Sequence, residues 1–146
     1  AFIVNDDPCL ARELDADGVH IGEDDASVDD ARRLLGDAAI IGVSCYDDLA
    51  LARRLASEGA DYLAFGAFFP SPTKPRARRA SLQLLRDSGA LGLPRVAIGG
   101  ITPENGGPLV AAGADLLAVI SGVFDAADPV AAARAYLSCF KDPTPA

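Results

Sequence analysis

The sequence predicts an α/β fold, a parallel barrel of the TIM or (βα)8 type, here with six βα units in a single domain over residues 1–146. Three observations predict it. Short apolar runs alternate along the chain with longer segments rich in alanine and leucine. The runs are apolar almost throughout instead of at every second residue, which is the pattern of parallel strands covered on both faces. The joint between a helix and the next strand recurs as one phrase, Gly59-Ala60-Asp61 and Gly113-Ala114-Asp115, with Asp15-Ala16-Asp17 as a weaker third copy. Repetition of a βα unit with similar joints is how a barrel reads in sequence.

In chain order, the expected strands cover residues 2–5, 18–21, 40–44, 62–65, 95–98 and 116–120. The expected helices cover 8–14, 28–35, 48–58, 82–88, 103–112 and 129–137. Thr102-Pro103 and Asp128-Pro129 each place a capping side chain before a proline at the first helical position. Gly59 and Gly113 stand where a helix ends in a left-handed residue. The units recur about every 24 residues, and a closed barrel of this type has eight strands, so two further units of about 50 residues are expected ahead of residue 1. The chain is therefore expected to be an N-terminally incomplete barrel. An open, doubly wound six-stranded sheet is the competing fold.

Composition limits the function. A formal net charge of −8 repels polyanions and leaves no electrostatic footprint for nucleic acid. No run of apolar residues is long enough to span a bilayer, and the first residues lack the basic segment of a secretory signal. Cys9, Cys45 and Cys139 show no metal-ligand spacing and read as reduced, mostly buried thiols of a cytoplasmic protein. An acidic chain that binds phosphates must do so locally, with backbone N–H groups, a lysine or two, and a cation held by carboxylates.

In barrels the chemistry lies beyond the carboxyl ends of the strands. Those ends read Asn5-Asp6-Asp7, Gly22-Glu23-Asp24-Asp25, Ser44, the long loop from Gly66 to Lys74, Gly99-Gly100, and Ile120-Ser121-Gly122. The last two match a phosphate site built from consecutive loops, where glycines let main-chain N–H groups approach phosphate oxygens. Asp6 and Asp25 sit on neighbouring loops and could share a hard cation; helix capping and solubility account for them equally well. Lys74 could meet a phosphate as a point charge, whereas Arg76, Arg78 and Arg79 read as the basic surface of a mobile loop. His20, the only histidine, reads as a barrel-lining residue ahead of a general base.

These phrases together resemble the thiamine phosphate synthase family. The resemblance is carried by residues 2–7, by Asp17-Gly18-Val19-His20-Ile21-Gly22-Glu23-Asp24-Asp25, by Ile41-Gly42-Val43-Ser44, by Phe65 through Lys74 with its Pro-Ser-Pro-Thr-Lys run, by Val96 through Ile101, and by Ala118 through Gly122. It implies an enzyme that joins a pyrimidine diphosphate to a thiazole phosphate with release of pyrophosphate, using Mg²⁺. It further implies metal ligands Asp6 and Asp25, and pyrimidine diphosphate contacts Asn5, Ser44 and Lys74, with Ser44 and Lys74 in catalytic positions. Ser71 and Thr73 would serve the thiazole side, and Gly99, Gly100, Ile120 and Ser121 the thiazole phosphate cradle. No side-chain nucleophile or general base is required.

Three departures from the family pattern stand out. Glu23 replaces a usual glutamine. Cys45-Tyr46 replaces a small residue and histidine, a change from which little is expected. The family's first two strands, with a basic phrase that grips the diphosphate, are not in this sequence, so half of that site at best is expected, and strands with unpaired edges invite homo-oligomer assembly. The rival readings are a thiazole tautomerase on the same barrel, a non-catalytic phosphate-binding remnant, and a sugar-phosphate epimerase. The last would want opposed acid–base residues on the strands.

Overall fold

The computed structural model describes residues 1–70 and 78–141. Strands β1 (Ile3–Asn5), β2 (Gly18–Ile21), β3 (Ile40–Tyr46), β4 (Tyr62–Phe65), β5 (Arg95–Ile98) and β6 (Leu116–Ala118) form one sheet, every neighbouring pair parallel and in sequential order. Between them lie α1 (Pro8–Glu13), α2 (Val28–Leu35), α3 (Leu49–Ser57), α4 (Leu82–Ser88) and α5 (Gly107–Ala111), and α6 (Ser121–Phe124), α7 (Pro129–Ala135) and α8 (Ser138–Lys141) follow. A doubly wound sheet reverses its strand order at a switch point, and this one does not. Right-handed crossovers that always add a strand on the same side leave the helices on one face. The sheet is thus the arc of a TIM-type barrel, with helices outside.

Alternation along the strands separates the two faces. Val19, Ile21, Ile41, Val43, Cys45, Leu63, Phe65 and Ala97 are buried and share one core with Ala11, Ala31, Ala52, Leu84, Leu85 and Leu109 of the helices. Each large aliphatic or aromatic side chain there contributes about 1.5–3 kcal/mol by leaving water. The intervening residues, His20, Gly42, Ser44, Tyr62 and Ala64, occupy the inner face.

The repeated joint has a physical basis common to all three copies. In each, the alanine N–H reaches back to the carbonyl five residues earlier, Ala16 to Ala11, Ala60 to Leu55 and Ala114 to Leu109. This closes the helix by a Schellman-type turn. The residue before it is left-handed, with φ of 50° at Asp15, 99° at Gly59 and 110° at Gly113. The aspartate then grips one residue at the start of the preceding strand twice. Its N–H donates to that residue's carbonyl and its carboxylate accepts that residue's N–H: Asp17 with Phe2, Asp61 with Ile41, Asp115 with Arg95. The phrase ends a helix and sets the register of the next strand in one step.

The element boundaries follow the sequence closely except in three places. Strand β3 runs on to Tyr46 through an irregularity between Ser44 and Tyr46, because the Tyr46 carbonyl still accepts from Gly66 N–H at 2.9 Å. Strand β6 stops at Ala118, and Ile120 already turns into α6. The helix expected from residue 103 starts at Gly107. Residues 102–106 form a separate turn in which Asn105 accepts from Thr102 N–H and donates to the Gly100 carbonyl. Pro108, which has no N–H and crowds the carbonyl four residues before it, keeps the two segments apart. Thr102 is consequently not a helix cap, whereas Asp128 caps α7 as expected by accepting from Ala131 N–H.

Candidate active site

The carboxyl ends of the strands bring the sequence candidates to one rim. After β1, the two aspartates divide the work. Asp7 caps α1, accepting from Cys9 and Leu10 N–H at 2.8 and 3.0 Å. Asp6 is left-handed, φ 70°, with its N–H fixed to the His20 carbonyl at 2.7 Å. Asp6 is therefore not a capping residue. After β2, Asp25 closes its own loop by accepting from Gly22 N–H at 2.7 Å, while α2 is capped by Ser27. Burial lowers the proton affinity of His20, and the negative charges of Asp6 and Asp25 oppose that effect, so both carboxylates act on one imidazole.

His20 lines the barrel, as expected. Its Nε2 lies 2.9 Å from Ser44 Oγ and its Nδ1 lies 3.0 Å from Tyr62 Oη. Asn5 is level with His20 in the sheet register. Asn5, Asp6, His20, Ser44 and Asp25 thus gather at the ends of β1, β2 and β3.

A second network ties the rim together. Arg78 Nη2 meets Glu23 Oε2 at 2.8 Å, and its guanidinium lies 4.6 Å from the centre of the Tyr46 ring. Tyr46 Oη in turn accepts from Glu23 N–H at 3.2 Å. An exposed ion pair of this kind contributes at most about 1 kcal/mol, so its consequence is geometric: the loops after β2, β3 and β4 are held in one arrangement. The sequence reading assigned Arg78 to a mobile surface and expected little from Tyr46; the structure gives both a definite partner. No spacing rule pairs Arg78 with Glu23, 55 positions apart, which is why sequence reasoning missed them.

The two glycine loops are also joined. Gly99 and Gly100 have φ of 93° and 63°, and a Cβ on either would strike Ala67 or Phe69 and Pro70 within 3 Å. Phe68 and Phe69 N–H donate to the Ile98 and Gly99 carbonyls, so the loop after β4 packs directly on them. Tyr136, just after α7, donates to the Ile101 carbonyl at 3.0 Å, and its hydroxyl fills the space a Gly122 side chain would need. That contact fixes the loop after β6, with Ile120 and Ser121, beside the loop after β5. Ser71, Thr73 and Lys74 lie outside the described residues.

A cleft of about 250 Å³ runs from Gly22, Asp25 and Ser44 between α2 and α3, past Val28, Leu51, Arg54 and Leu55. A larger one, about 450 Å³, lies at the opposite end of the strands around Pro94, Arg95 and Asp115, away from every candidate residue. Of the candidate residues only Asp25 and Ser44 touch the first, so the site is the cluster at the strand ends, with this cleft at its flank. Among the described residues no three His, Cys, Asp or Glu side chains are placed to share a metal ion.

Residues 1–123 match the profile of the thiamine monophosphate synthase family. The chain belongs to that family. It is 62% identical over 139 residues to a thiamine-phosphate synthase of Xanthomonas campestris pv. campestris, covering 95% of this chain and 67% of that protein. It is 56% identical over 143 residues to one from Methylococcus capsulatus, covering 97% and 64%. Among solved structures, a thiamine phosphate pyrophosphorylase from Pyrococcus furiosus superposes with a TM-score of 0.84 at 36% identity, over 94% of this chain and 65% of that one. A 3-hexulose-6-phosphate synthase, at 19% identity and a TM-score of 0.67, shares the fold alone. The chain spans about two thirds of the length of these family relatives. No helix among the described residues is long and apolar enough to cross a membrane.

Proposed function

We propose that this chain supplies the β1–β6 face of a thiamine phosphate synthase site, a transferase that joins hydroxymethylpyrimidine diphosphate to hydroxyethylthiazole phosphate and releases pyrophosphate. The observation that carries this reading is the convergence of Asp6, Asp25 and Ser44 at one end of the barrel with two glycine loops pinned side by side at the other end of the arc. In this reading Ser44 and Asn5 hold the pyrimidine diphosphate. Main-chain N–H groups at Gly99, Gly100, Ile120 and Ser121 hold the thiazole phosphate. Lys74, Ser71 and Thr73 are assigned on the sequence alone, Lys74 to the diphosphate.

The residues fit a hard divalent cation of the Mg²⁺ kind. Among the described residues no third acidic, His or Cys side chain is placed to share an ion with the Asp6 and Asp25 carboxylates, so most coordination positions would go to water and phosphate oxygens, the arrangement such an ion favours. Asp6 and Asp25 would hold it, and when bound it would supply charge neutralisation for the departing pyrophosphate. The protein's own part is positional. The bond between the pyrimidine methylene and the diphosphate oxygen breaks, its electron pair leaves with pyrophosphate, and the thiazole nitrogen forms the new bond to the methylene. Fixing the thiazole by its phosphate places that nitrogen for attack. No proton has to be abstracted by His20, whose two ring nitrogens already have partners in the sheet, and this disfavours a tautomerase. A cytoplasmic location belongs to the same proposal.

The test is the Mg²⁺ dependence of pyrophosphate release with Asp6→Ala and Asp25→Ala in a barrel where a family relative supplies the two units ahead of β1. Each variant should lose activity by at least about a hundredfold at fixed Mg²⁺ and recover part of it as Mg²⁺ is raised. Variants as active as the parent at low Mg²⁺ would remove these carboxylates from the site.

A further inference from the structure

The inner face of β2, β3 and β4 carries a polar chain that the proposed reaction does not itself use. Tyr62, His20 and Ser44 are linked in that order, with Nδ1 3.0 Å from Tyr62 Oη and Nε2 2.9 Å from Ser44 Oγ. The imidazole stacks on the Tyr62 ring, with centroids 5.5 Å apart and planes inclined by 22°. Tyr62 can lie across β3 because residue 42 is glycine: a Cβ there would stand 1.8 Å from the phenol carbon.

A neutral imidazole has one N–H and one lone pair, so the chain can run in two directions. In the first, Nδ1–H donates to Tyr62 and Ser44 spends its hydrogen on Nε2. Tyr62 then has a half-buried hydroxyl hydrogen to place elsewhere, and Ser44 presents only lone pairs to the barrel mouth. In the second, Tyr62 O–H donates to Nδ1, Nε2–H donates to Ser44 Oγ, and the serine hydrogen is free to point outward. Each arrangement leaves one hydroxyl hydrogen over, the phenol's in the first and the serine's in the second; the second leaves the one that faces the barrel mouth and matches the strongest acceptor, the imidazole lone pair, with the most acidic donor, the phenol.

We infer that Tyr62 and His20 form a relay that commits Ser44 to act as a hydrogen-bond donor toward a phosphate-bearing ligand at the mouth of the barrel. A phosphate oxygen only accepts, so a serine whose hydrogen was held by His20 could not bind it. Tyr62 and His20 are positioning residues that act through Ser44. The outward half of the inference rests on the proposed placement of substrate at Ser44; the direction of the relay does not.

Two measurements on the chain test the halves separately. Since His20 is the only histidine, a long-range ¹H–¹⁵N spectrum of ¹⁵N-histidine-labelled protein reports one imidazole. The expected form is Nε2-protonated, shifting toward a mixture in Tyr62→Phe, which keeps the ring and removes the hydroxyl. An Nδ1-protonated ring in the parent, or a tautomer unmoved by Tyr62→Phe, overturns the relay. Calorimetric titration with pyrophosphate and Mg²⁺ then reads the outward half in the parent, Tyr62→Phe, Ser44→Ala and the double variant. Tyr62→Phe should weaken binding about fivefold, the scale of one hydrogen bond, and should add nothing in the Ser44→Ala background. A loss that is additive in the double variant overturns action through Ser44. Unchanged affinity in Ser44→Ala overturns the placement of the ligand there, even if the tautomer is as expected.

Discussion

Asp61→Ala probes the repeated helix-to-strand joint. The Asp61 carboxylate accepts from Ile41 N–H and from Arg32 Nη2, each at 2.7 Å, while its own N–H donates to the Ile41 carbonyl at 2.8 Å. Ile41 is fully buried, so its N–H loses a charged acceptor in a part-buried place. A hydrogen bond to a charged group is worth about 1.5–3 kcal/mol. The ion pair with Arg32 adds at most about 0.5 kcal/mol, because the Asp61 side chain is 44% exposed and Arg32 keeps a bond to the Gly59 carbonyl. The expected destabilisation is about 2 kcal/mol, measured by urea unfolding, or a fall of about 6 °C in Tm. Asp61→Asn keeps an acceptor oxygen and should cost about half as much. An alanine variant within about 0.5 kcal/mol of the parent, or an asparagine variant as damaging as alanine, would refute the view that the carboxylate sets the strand register.

Three further outcomes follow from the same contacts. Gly42→Ala should force the Tyr62 ring off His20 and cost about 1–3 kcal/mol by overpacking, while Gly107→Ala, with nothing within 4 Å of the new methyl, should be neutral in the same unfolding assay. Partial burial of Asp115 raises its pKa, but hydrogen bonds from Arg95 N–H and side chain and the Arg95 charge outweigh it, leaving the folded value below the ordinary 3.8. The stability this gives is complete above that ordinary value and is lost as pH falls through the folded one, so Asp115→Asn should flatten the acid limb of a stability–pH curve and leave its neutral part parallel. Burial first, and Asp48 second, push the Cys45 thiol up to about 12; of the three cysteines only exposed Cys9 should react quickly with a thiol reagent at pH 8 in the native protein, and all three after denaturation.

Much of the fold was legible because its punctuation is local. Asp7, Ser27, Asp48, Ser81 and Asp128 cap helices within reach of their own side chains, and the Gly-Ala turn closes on its own helix five residues back, although the aspartate after it reaches the preceding strand. The misplaced start of α5 shows the limit. Thr102-Pro103 has the form of a helix start, but Asn105 and Pro108 decide otherwise through contacts with Gly100 and within the turn. At the rim, residues at strand ends were legible because a barrel puts them there: Asn5, Asp6, Asp25, Ser44, Gly99 and Gly100. Tyr62, Tyr46, Arg78 and Tyr136 were not, since each acts through register or through partners tens of residues away that no local pattern encodes.

The most direct test of the central claim is pyrophosphate release by a chimera in which this chain replaces the 139 matching residues of the Xanthomonas campestris relative. With Mg²⁺ present, the account predicts release only when both the pyrimidine diphosphate and the thiazole phosphate are supplied, and its loss in Asp25→Ala of the chimera. A folded chimera that releases no pyrophosphate, or that releases it equally without the thiazole phosphate, would contradict the assignment of this chain to a thiamine phosphate synthase site.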